Sequence, residues 1–394
     1  MNFNLQNITR KNISSLQPYS SARDEFTGEA SVFLDANENP FNAPWNRYPD
    51  PRQLELKIRL SQLKGVSTPS IFLGNGSDEP IDLLFRAFCE PGIDNVVAIS
   101  PTYGMYRVAA DINNISYREV LLEEDFSLNA GKVLAATDSN SKMIFLCSPN
   151  NPTGNALDQT EAVRIVTEFN GLVVLDEAYI DFCPEKSLIN VLNQFPNLVL
   201  LQTLSKAWGL AGIRLGMAFA SPEIISILSK IKYPYNINLL TQEKAVEMLQ
   251  FPDQKESWVE TILLQKKKLI TELSKLPVVL KIYPSDANFI LVQTTSAKKI
   301  YLALVDRQII VRDRSKVALC GEALRITVGT EGENQLLIEA LKEIGKCENV
   351  MIRQFDNWCD GKIVMINRNS RLSLISTLLI HQSLSNCQSS KLSN

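Results

Sequence analysis

Two cations lie close together in an otherwise apolar part of the chain, in the stretch QTLSKAWGLAGIRLG at residues 202–216. Lys206 follows the apolar run LVLLQTLS, which is typical of a buried strand, and Arg214 comes eight positions later among glycines and short apolar runs. A buried cation is costly unless an anion pairs with it or its charge is removed. The pattern therefore indicates a site in which a lysine and an arginine meet a ligand.

Four further polar side chains follow apolar runs in the same way. Asp176 ends the run GLVVLD, and Asn151 lies in SPNNPTG directly after KMIFLC. Ser77 and Asp78 follow the glycine turn of SIFLGNG and start an amphipathic run, where the N–H groups of a helix N-terminus suit an anion. Each residue alone is more often a cap or a turn residue, so only their convergence would indicate a ligand.

Tyrosines accompany these polar strand ends, with Tyr103 in SPTYG and Tyr179 in DEAY. The whole set offers a phosphate cradle, a carboxylate, an amide, phenols, a lysine and an arginine. Those groups fit an aromatic aldehyde that carries a phosphate, a ring nitrogen and a phenolic oxygen. The sequence therefore predicts pyridoxal 5′-phosphate as the cofactor.

The elements that must position these residues alternate between short apolar runs and longer amphipathic ones. Strands that are apolar on both faces and alternate with helices are typical of a parallel sheet covered by helices. Such sheets bind ligands at the carboxyl ends of their strands, where the polar side chains fall. The predicted strand runs are SIFLGNG (70–76), NVVAISPTYG (95–104), KMIFLCSPNNPTG (142–154), GLVVLDEAY (171–179), NLVLLQTLSK (197–206) and RLGMAFAS (214–221).

The pattern changes after about residue 275, where VVLKIYPSDANFILVQT, two further strands and their helices indicate a smaller α+β domain. We therefore expect an α/β fold with a large cofactor-binding domain at 46–274, built on a mostly parallel central sheet, and a small domain at 275–346. The first 45 residues are expected to pack on the small domain. Residues 347–394 form an atypical extension with a serine- and asparagine-rich end, which predicts poor order.

Composition limits the classes of function. The formal net charge is −3, from 40 basic and 43 acidic residues among 394, and gives no reason to expect a nucleic-acid or membrane partner. The seven cysteines show no metal-ligand spacing, and the start of the chain has no apolar signal-peptide core, so we expect a cytoplasmic protein without a metal site. The single histidine, His381, lies near the C-terminus. An acid–base group in the main body must then be a lysine, a carboxylate, a tyrosine or a cysteine.

The motifs SPNNPTG, VVLDEAY and TLSKAWGLAGIRLG, in this order, resemble the aspartate-aminotransferase superfamily, the pyridoxal-phosphate enzymes of fold type I. GNGSDE, SPTYGMY, NRYPDP and RITVGT narrow the resemblance to the histidinol-phosphate aminotransferase family, over roughly residues 15–345. The resemblance implies an aspartate-aminotransferase-like fold. It also implies transamination of L-histidinol phosphate with 2-oxoglutarate in histidine biosynthesis, giving imidazole-acetol phosphate and L-glutamate.

The same resemblance implies roles in catalysis for the strand-end residues. Lys206 would hold the cofactor covalently and then move the proton at the substrate's Cα, and Asp176 would pair with the protonated ring nitrogen. Asn151 and Tyr179 would hydrogen-bond the phenolic oxygen. Tyr103 would stack on the ring face.

The cofactor phosphate has its own implied partners. Ser77 and Asp78 would offer backbone N–H groups, Ser205 its hydroxyl and Arg214 its guanidinium. Tyr48, in NRYPDP, matches a family tyrosine that reaches the phosphate of the neighbouring subunit. The resemblance therefore implies a homodimer with shared sites.

Substrate-binding residues are implied outside the strand ends, apart from Asn151. Arg325, in LRITVGT, matches the arginine that binds the carboxylate of the amino-acid partner, for which a bidentate fork is suited. Arg312, in IIVRDRS, matches a second arginine at the anionic end of the substrate, and Arg314 stands close enough to be an alternative. Tyr19, in PYSSAR, resembles a residue near the substrate phosphate.

Other functions of the same fold stay open at this point. A threonine-phosphate-type decarboxylase also binds an amino-phosphate, and an aromatic amino acid aminotransferase differs only in its side-chain pocket. A pyridoxal-phosphate-binding regulator would carry a DNA-binding domain ahead of the fold, and the sequence shows none. In the extension, KIVMINRNS (362–370) faintly resembles a strand end of haloacid-dehalogenase phosphatases with asparagines in place of both aspartates, so we favour a dispensable segment.

Overall fold

Eleven strands and twelve helices make up the part of the chain that this computed structural model describes, residues 3–19 and 30–360, with the backbone alone for 347–360. The strands are β1 (Ile71–Asn75), β2 (Asn95–Ser100), β3 (Ser116–Leu121), β4 (Ser141–Cys147), β5 (Leu172–Asp176), β6 (Leu198–Thr203), β7 (Leu215–Phe219), β8 (Val279–Ile282), β9 (Phe289–Thr294), β10 (Arg312–Asp313) and β11 (Ala323–Thr327). The helices are α1 (Leu5–Ile8), α2 (Lys11–Ser14), α3 (Leu54–Lys64), α4 (Asp78–Phe88), α5 (Met105–Ile112), α6 (Ala130–Ala135), α7 (Gln159–Glu168), α8 (Pro222–Ile231), α9 (Leu239–Met248), α10 (Pro252–Leu273), α11 (Ala297–Val305) and α12 (Glu331–Asp360).

The first seven strands form one sheet in the order β1-β7-β6-β5-β4-β2-β3. Strands β2 to β6 pair in parallel, and β7 runs antiparallel to both β1 and β6. All residues of β2, β5, β6 and β7 are buried, because helices cover both faces. The mostly parallel sheet expected from the apolar runs is confirmed.

The reversal at β7 brings both cations to one edge of this sheet. The connection 204–214 between β6 and β7 is short, whereas a parallel pairing needs a crossover of a dozen or more residues. Because β7 is antiparallel, its first residue, Leu215, lies beside the carboxyl end of β6 and opposite Asn75 at the end of β1. Lys206 and Arg214 both belong to this connection. They therefore lie at the same edge of the sheet as the carboxyl ends of β1, β4 and β5.

A second, antiparallel sheet has the order β10-β11-β9-β8. Its core includes Ile290, Leu324 and Leu341, together with Leu269 and Leu273 from the end of α10. The other end of α10 contributes Val259 to a separate cluster with Tyr179 and Phe289. The long helix thus contributes to both clusters, and its last turns pack with the second sheet. The predicted domain boundary at 274/275 stays a prediction.

Residues 5–13 contact the helices and core of the seven-stranded sheet, whereas the sequence analysis expected the first 45 residues to pack on the small domain. Leu5 and Ile8 pack against the core formed by α4 and the sheet, and the guanidinium of Arg10 pairs with Glu90 at 3.2 Å. The backbone carbonyl of Ile13 accepts a hydrogen bond from Lys230 Nζ at 2.8 Å. The physical reason is that a four-residue helix cannot bury its apolar side chains by itself, so Leu5 and Ile8 gain burial only against this core.

The chain divides into two compact units, Met1–Gly345 and Lys346–Asn394. The helix α12 continues to Asp360, beyond the end near residue 345 that the apolar pattern indicated. The predicted strand in KIVMINRNS lies outside the described residues. No helix within the described ranges combines the length and apolar character that a membrane span needs.

Candidate active site

A cavity of about 150 Å³ lies at the sheet edge where the strand ends meet. A single enclosed water needs roughly 10–15 Å³ on the same measure, so the cavity has room for a ligand with an aromatic ring. It brings together every predicted cofactor residue except Tyr48. Its lining is Gly76, Ser77, Asp78, Tyr103, Cys147, Asn151, Asp176, Ala178, Tyr179, Thr203, Ser205, Lys206 and Arg214.

Asp176 is held at the floor of the cavity by two donors. The Tyr106 hydroxyl donates to Asp176 Oδ2 at 2.7 Å, and the Ala178 backbone N–H donates to Oδ1 at 3.0 Å. Its side chain is only 2% exposed, and burial raises the pKa of this carboxyl to about 6 although both donors oppose the shift. A cationic partner would restore the ionised form, so the position suits a protonated ring nitrogen.

Lys206 is a half-buried amine facing other cations. Burial lowers its pKa, and Arg325 and Arg214 lower it further while Asp176 opposes them. Its Nζ lies 5.2 Å from the centre of the Tyr179 ring. An amine with a lowered pKa is a better nucleophile and proton carrier at neutral pH than an ordinary lysine.

Backbone geometry opens a cradle beside Arg214. A Cβ on Gly76, whose φ is +70°, would lie 2.6 Å from Arg214 Nη2. A Cβ on Gly216 would lie 2.3 Å from the carbonyl carbon of Gly76. Ser77 precedes α4 without spending its hydroxyl on a helix cap. The N-terminus of an eleven-residue helix and a guanidinium therefore face the same gap, and both attract a phosphate.

A hydrogen-bonded chain crosses from the cofactor cavity to the small domain. Arg325 Nη1 donates to Asn151 Oδ1 at 2.5 Å, and Asn151 Nδ2 lies 3.5 Å from the Tyr179 hydroxyl. Burial raises the pKa of Tyr179, so its phenol stays a donor at neutral pH. This chain places a substrate-side arginine next to the amide and phenol predicted to hold the cofactor.

Five lining or supporting residues were not among the predicted site residues, namely Gly76, Tyr106, Cys147, Ala178 and Thr203. Tyr106, the second tyrosine of SPTYGMY, is completely buried under Asp176. Thr203 shares a 3.0 Å hydrogen bond with the Ser205 hydroxyl, and Cys147 ends β4 against the cavity. The signal for Tyr106 was its place three residues after Tyr103, whose ring it meets edge to face with centres 5.6 Å apart.

The groups fit pyridoxal phosphate by their chemistry. An anion cradle lies at the Gly76 end, a buried carboxylate lies below, and an amine of lowered pKa lies between them. No group of three or more histidine, cysteine or carboxylate side chains suited to a metal ion occurs in the described part of the chain.

Comparison with known proteins gives the family. Residues 31–341 match the model of aminotransferase class I and II. The histidinol-phosphate aminotransferase of Bacteroides fragilis (strain YCH46) is 59% identical over 340 residues, which is 86% of this chain and 99% of that protein. The chain belongs to the histidinol-phosphate aminotransferase family. Pyridoxal phosphate is the cofactor of this class, and the predicted aminotransferase activity and cofactor are confirmed.

Solved structures agree on the fold of this histidinol-phosphate aminotransferase family member. The crystal structure of histidinol-phosphate aminotransferase from Sinorhizobium meliloti in complex with pyridoxal-5′-phosphate has a TM-score of 0.69 at 25% identity, over 76% of this chain and 83% of that one. L-threonine-O-3-phosphate decarboxylase from Porphyromonas gingivalis has a TM-score of 0.65, also at 25% identity, over 76% and 91%. The fold alone therefore does not separate transamination from decarboxylation.

Two residues that the family resemblance singled out lie away from the cavity lining. Tyr48 is 52% exposed and stacks on Tyr235 with ring centres 4.4 Å apart. Tyr19 is 76% exposed. Their predicted contacts with a phosphate of the partner's cofactor and with the substrate stay predictions.

The predicted substrate arginines occupy neighbouring strands of the small sheet. Arg312 is exposed and lies directly opposite Arg325 in the register of β10 and β11. Arg314, the alternative, is half-buried just after β10. Their contacts with substrate also stay predictions.

Proposed function

We propose that this enzyme transfers the amino group of L-histidinol phosphate to 2-oxoglutarate, giving imidazole-acetol phosphate and L-glutamate, in histidine biosynthesis. The observation that carries the proposal is the 2.5 Å hydrogen bond from Arg325 to Asn151, which joins an anion-binding side chain to the predicted cofactor cavity. A substrate whose anionic end rests on Arg325 would therefore present its Cα close to Lys206. The names of relatives at 59% identity support the choice of amino donor.

Bound pyridoxal phosphate supplies an electron sink that stabilises negative charge at the substrate's Cα. Asp176 supports it by keeping the ring nitrogen protonated, since a buried carboxylate and a cation each stabilise the charge of the other. Asn151 and Tyr179 would hydrogen-bond the phenolic oxygen, and Tyr103 would cover the ring. Ser77, Asp78, Ser205 and Arg214 would hold the phosphate.

Lys206 carries the covalent link and the proton transfer. Burial and the nearby Arg325 and Arg214 lower its pKa, which would favour the neutral amine that a proton carrier at the substrate's Cα needs. Arg325 would hold the carboxylate of glutamate. Arg312 and Tyr19 complete the proposed substrate set.

One assay separates the proposed function from its rivals. The purified holoenzyme is given L-histidinol phosphate with 2-oxoglutarate, O-phospho-L-threonine, and an aromatic amino acid with 2-oxoglutarate. We expect fast amino transfer from histidinol phosphate and no carbon dioxide release from phosphothreonine. Carbon dioxide release would identify a decarboxylase, and preference for the aromatic donor would identify the other aminotransferase. Absence of all turnover would leave the regulator.

Covalent labelling tests the lysine assignment. Borohydride reduction of the yellow holoenzyme followed by peptide mapping should recover the cofactor on Lys206. The neighbouring candidate is Lys255, a buried lysine whose Nζ lies 5.7 Å from the centre of the Trp208 ring. Label on Lys255, or on any lysine other than Lys206, would refute the assignment.

The proposal includes a homodimer in the cytoplasm with Tyr48 contributed by the partner. Exposed Tyr48 and its rigid stacking on Tyr235 support a role at a subunit contact. Tyr48→Ala keeps its own Lys206 and Arg214, and Lys206→Ala keeps its own Tyr48. Mixed dimers should therefore regain activity at one of two sites. Verified heterodimers no more active than their parents would refute the shared site.

A further inference from the structure

Three arginines project from one face of the small sheet. Arg312 pairs with Arg325 across β10 and β11, and cross-strand partners share a face. Arg314 is two residues after Arg312, so its side chain points to the same side, and its backbone N–H donates to Ala323 O at 2.9 Å. The three side chains therefore share one face, and Arg325 reaches Asn151 in the lining of the cofactor cavity.

These charges have no counter-ion among the described side chains. Within residues 3–19 and 30–346, none of the three arginines forms an ion pair with a carboxylate. Arg325 has neutral neighbours, the Asn151 amide and the Phe289 ring, whose centre lies 5.4 Å from the guanidinium carbon. In the same ranges, the buried Nε of Arg314 has no hydrogen-bond acceptor. Burial lowers the pKa of Arg314, and repulsion by Arg325 and Arg312 lowers it further. Arginine side chains that have no carboxylate partner attract and stabilise an incoming anion.

Arg314 lies near enough to Tyr179 for its charge to act on that phenol. The charges of Arg325 and Arg314 both act on the Tyr179 phenol, which lines the cofactor cavity. Arg312, in contrast, is exposed, and no charged partner in the described part of the chain holds it. The half-buried pair Arg314 and Arg325 is thus the better candidate for direct contact with substrate.

We propose that Arg314 is a specificity residue that binds the phosphate of the amino donor together with Arg325, while the carboxylate of glutamate needs Arg325 alone. A carboxylate carries one negative charge and balances one guanidinium. A phosphate monoester carries nearly two charges at pH 7 and three acceptor oxygens, so it can meet both groups. The inference rests on the proposed function, because it assumes that donor and glutamate use one pocket in turn.

The decisive variant is Arg314→Gln, which keeps hydrogen-bond donors and most of the side-chain length but removes the charge. The donors compared in the holoenzyme are L-histidinol phosphate, L-histidinol and glutamate. We expect kcat/KM for histidinol phosphate to fall about 10- to 100-fold, in line with one charge-assisted contact. Values for histidinol and glutamate should change less than about twofold. Arg307→Gln, which removes a cation paired with Glu343 at 3.6 Å on another part of the small domain, is the matched control.

A second measurement separates this inference from the proposed function. Inorganic phosphate should inhibit the holoenzyme competitively with the amino donor, and Arg314→Gln should raise its inhibition constant at least about fivefold. Arg314→Lys, which keeps the charge without the fork, should lie between wild type and Arg314→Gln, and it also serves if the glutamine variant does not fold.

Two results would overturn the inference. Equal losses with all three donors would make Arg314 a residue of the fold, and unchanged phosphate inhibition in both Arg314 variants would remove it from the anion site. If the wild-type enzyme does not use histidinol phosphate, the proposed function fails. Phosphate inhibition can then be measured on whichever transamination the enzyme catalyses, and it still shows whether Arg314 binds a phosphate.

Discussion

The cofactor edge of the large sheet and the arginine face of the small sheet treat charge in opposite ways. At the cofactor edge, Asp176 accepts two hydrogen bonds and is fixed before any ligand arrives. On the arginine face, Arg314 has a buried donor without an acceptor among the described residues, and three like charges stand together. In the first region the carboxylate has hydrogen-bond partners within the protein, whereas in the second the described side chains offer the arginines no anionic partner.

This difference matches the two kinds of ligand. A resident cofactor stays through every cycle, so rigid partners that hold one geometry lower the reorganisation needed during reaction. Substrates with different anionic ends must bind and leave in turn. Carboxylate side chains fixed to the arginines would compete with those anions and prevent the exchange. The contrast predicts that changes at the cofactor edge reduce all reactions alike, and that changes on the arginine face alter the choice of substrate.

Asp176→Asn should have the largest effect and reduce turnover with every donor equally. An amide cannot keep the ring nitrogen protonated, and the loss of one such contact in a buried site costs about 3 kcal/mol, or roughly 10²-fold in rate. The measurement is kcat for histidinol phosphate and for glutamate, with cofactor content followed by absorbance.

The matched control for Asp176 is its neighbour Glu177, which is 1% exposed and satisfied by Gln202, Ser187 and the Leu188 N–H. Glu177→Gln should lower the free energy of unfolding but keep kcat. Near-normal turnover in Asp176→Asn, or an equal loss in Glu177→Gln, would contradict a special role for Asp176.

Gly76→Ala should weaken cofactor binding, by about tenfold or more, through the displaced Arg214. The added methyl would lie 2.6 Å from Arg214 Nη2, so a phosphate contact must move or be lost. Gly65→Ala separates this collision from backbone strain, since Gly65 has a similar φ of +67° but a Cβ added there would meet no atom within 4 Å. It should cost about 1 kcal/mol of stability and leave cofactor affinity unchanged. Equal cofactor affinities in the two variants would show that the cradle does not bind the phosphate.

Tyr106→Phe should shift a pH dependence by a smaller amount. The hydroxyl helps to keep Asp176 ionised, and its removal raises the pKa of Asp176 above the present value of about 6. Cofactor affinity, which the carboxylate should strengthen, is expected to be higher above that pKa and weaker below it. In the cofactor-free protein, the midpoint of affinity against pH should therefore move up by about one unit.

Tyr117→Phe, on a ring stacked with Arg107 outside the cavity, serves as control for Tyr106→Phe and should keep the wild-type midpoint. A midpoint that stays in place or moves to lower pH in Tyr106→Phe would show that the hydrogen bond does not tune Asp176.

A chain ending at Gly345 should show the smallest effect, with fold, cofactor content and activity kept. The first compact unit ends at this residue, and the matched relative from Bacteroides fragilis is covered to 99% by 340 residues of this chain. Circular dichroism, gel filtration and the transamination assay check this. Aggregation or loss of activity would show that the extension is needed by one of the two regions compared above.

Sequence alone determined the family, the cofactor and most of the residues that line the cavity, because these depend on short motifs at strand ends. SIFLGNG, GLVVLDEAY and NLVLLQTLSK each place an apolar strand directly before its polar residue, so the strand fixes where the side chain emerges. The helix in SDEPIDLLFRAFCE was likewise readable from its spacing and appears as Asp78–Phe88.

Tertiary structure alone decided the relations between distant segments. The hydrogen bond of Tyr106 to Asp176 joins residues 70 positions apart, and that of Arg325 to Asn151 joins residues 174 apart. No local pattern encodes such contacts, because they depend on strand order and on the antiparallel turn of β7. The packing of α1 on the large domain and the surroundings of the Arg314 guanidinium are of the same kind. The packing of α1 and the surroundings of Arg314 depend on which distant residues lie next to a side chain in the folded protein, and a single sequence does not show this.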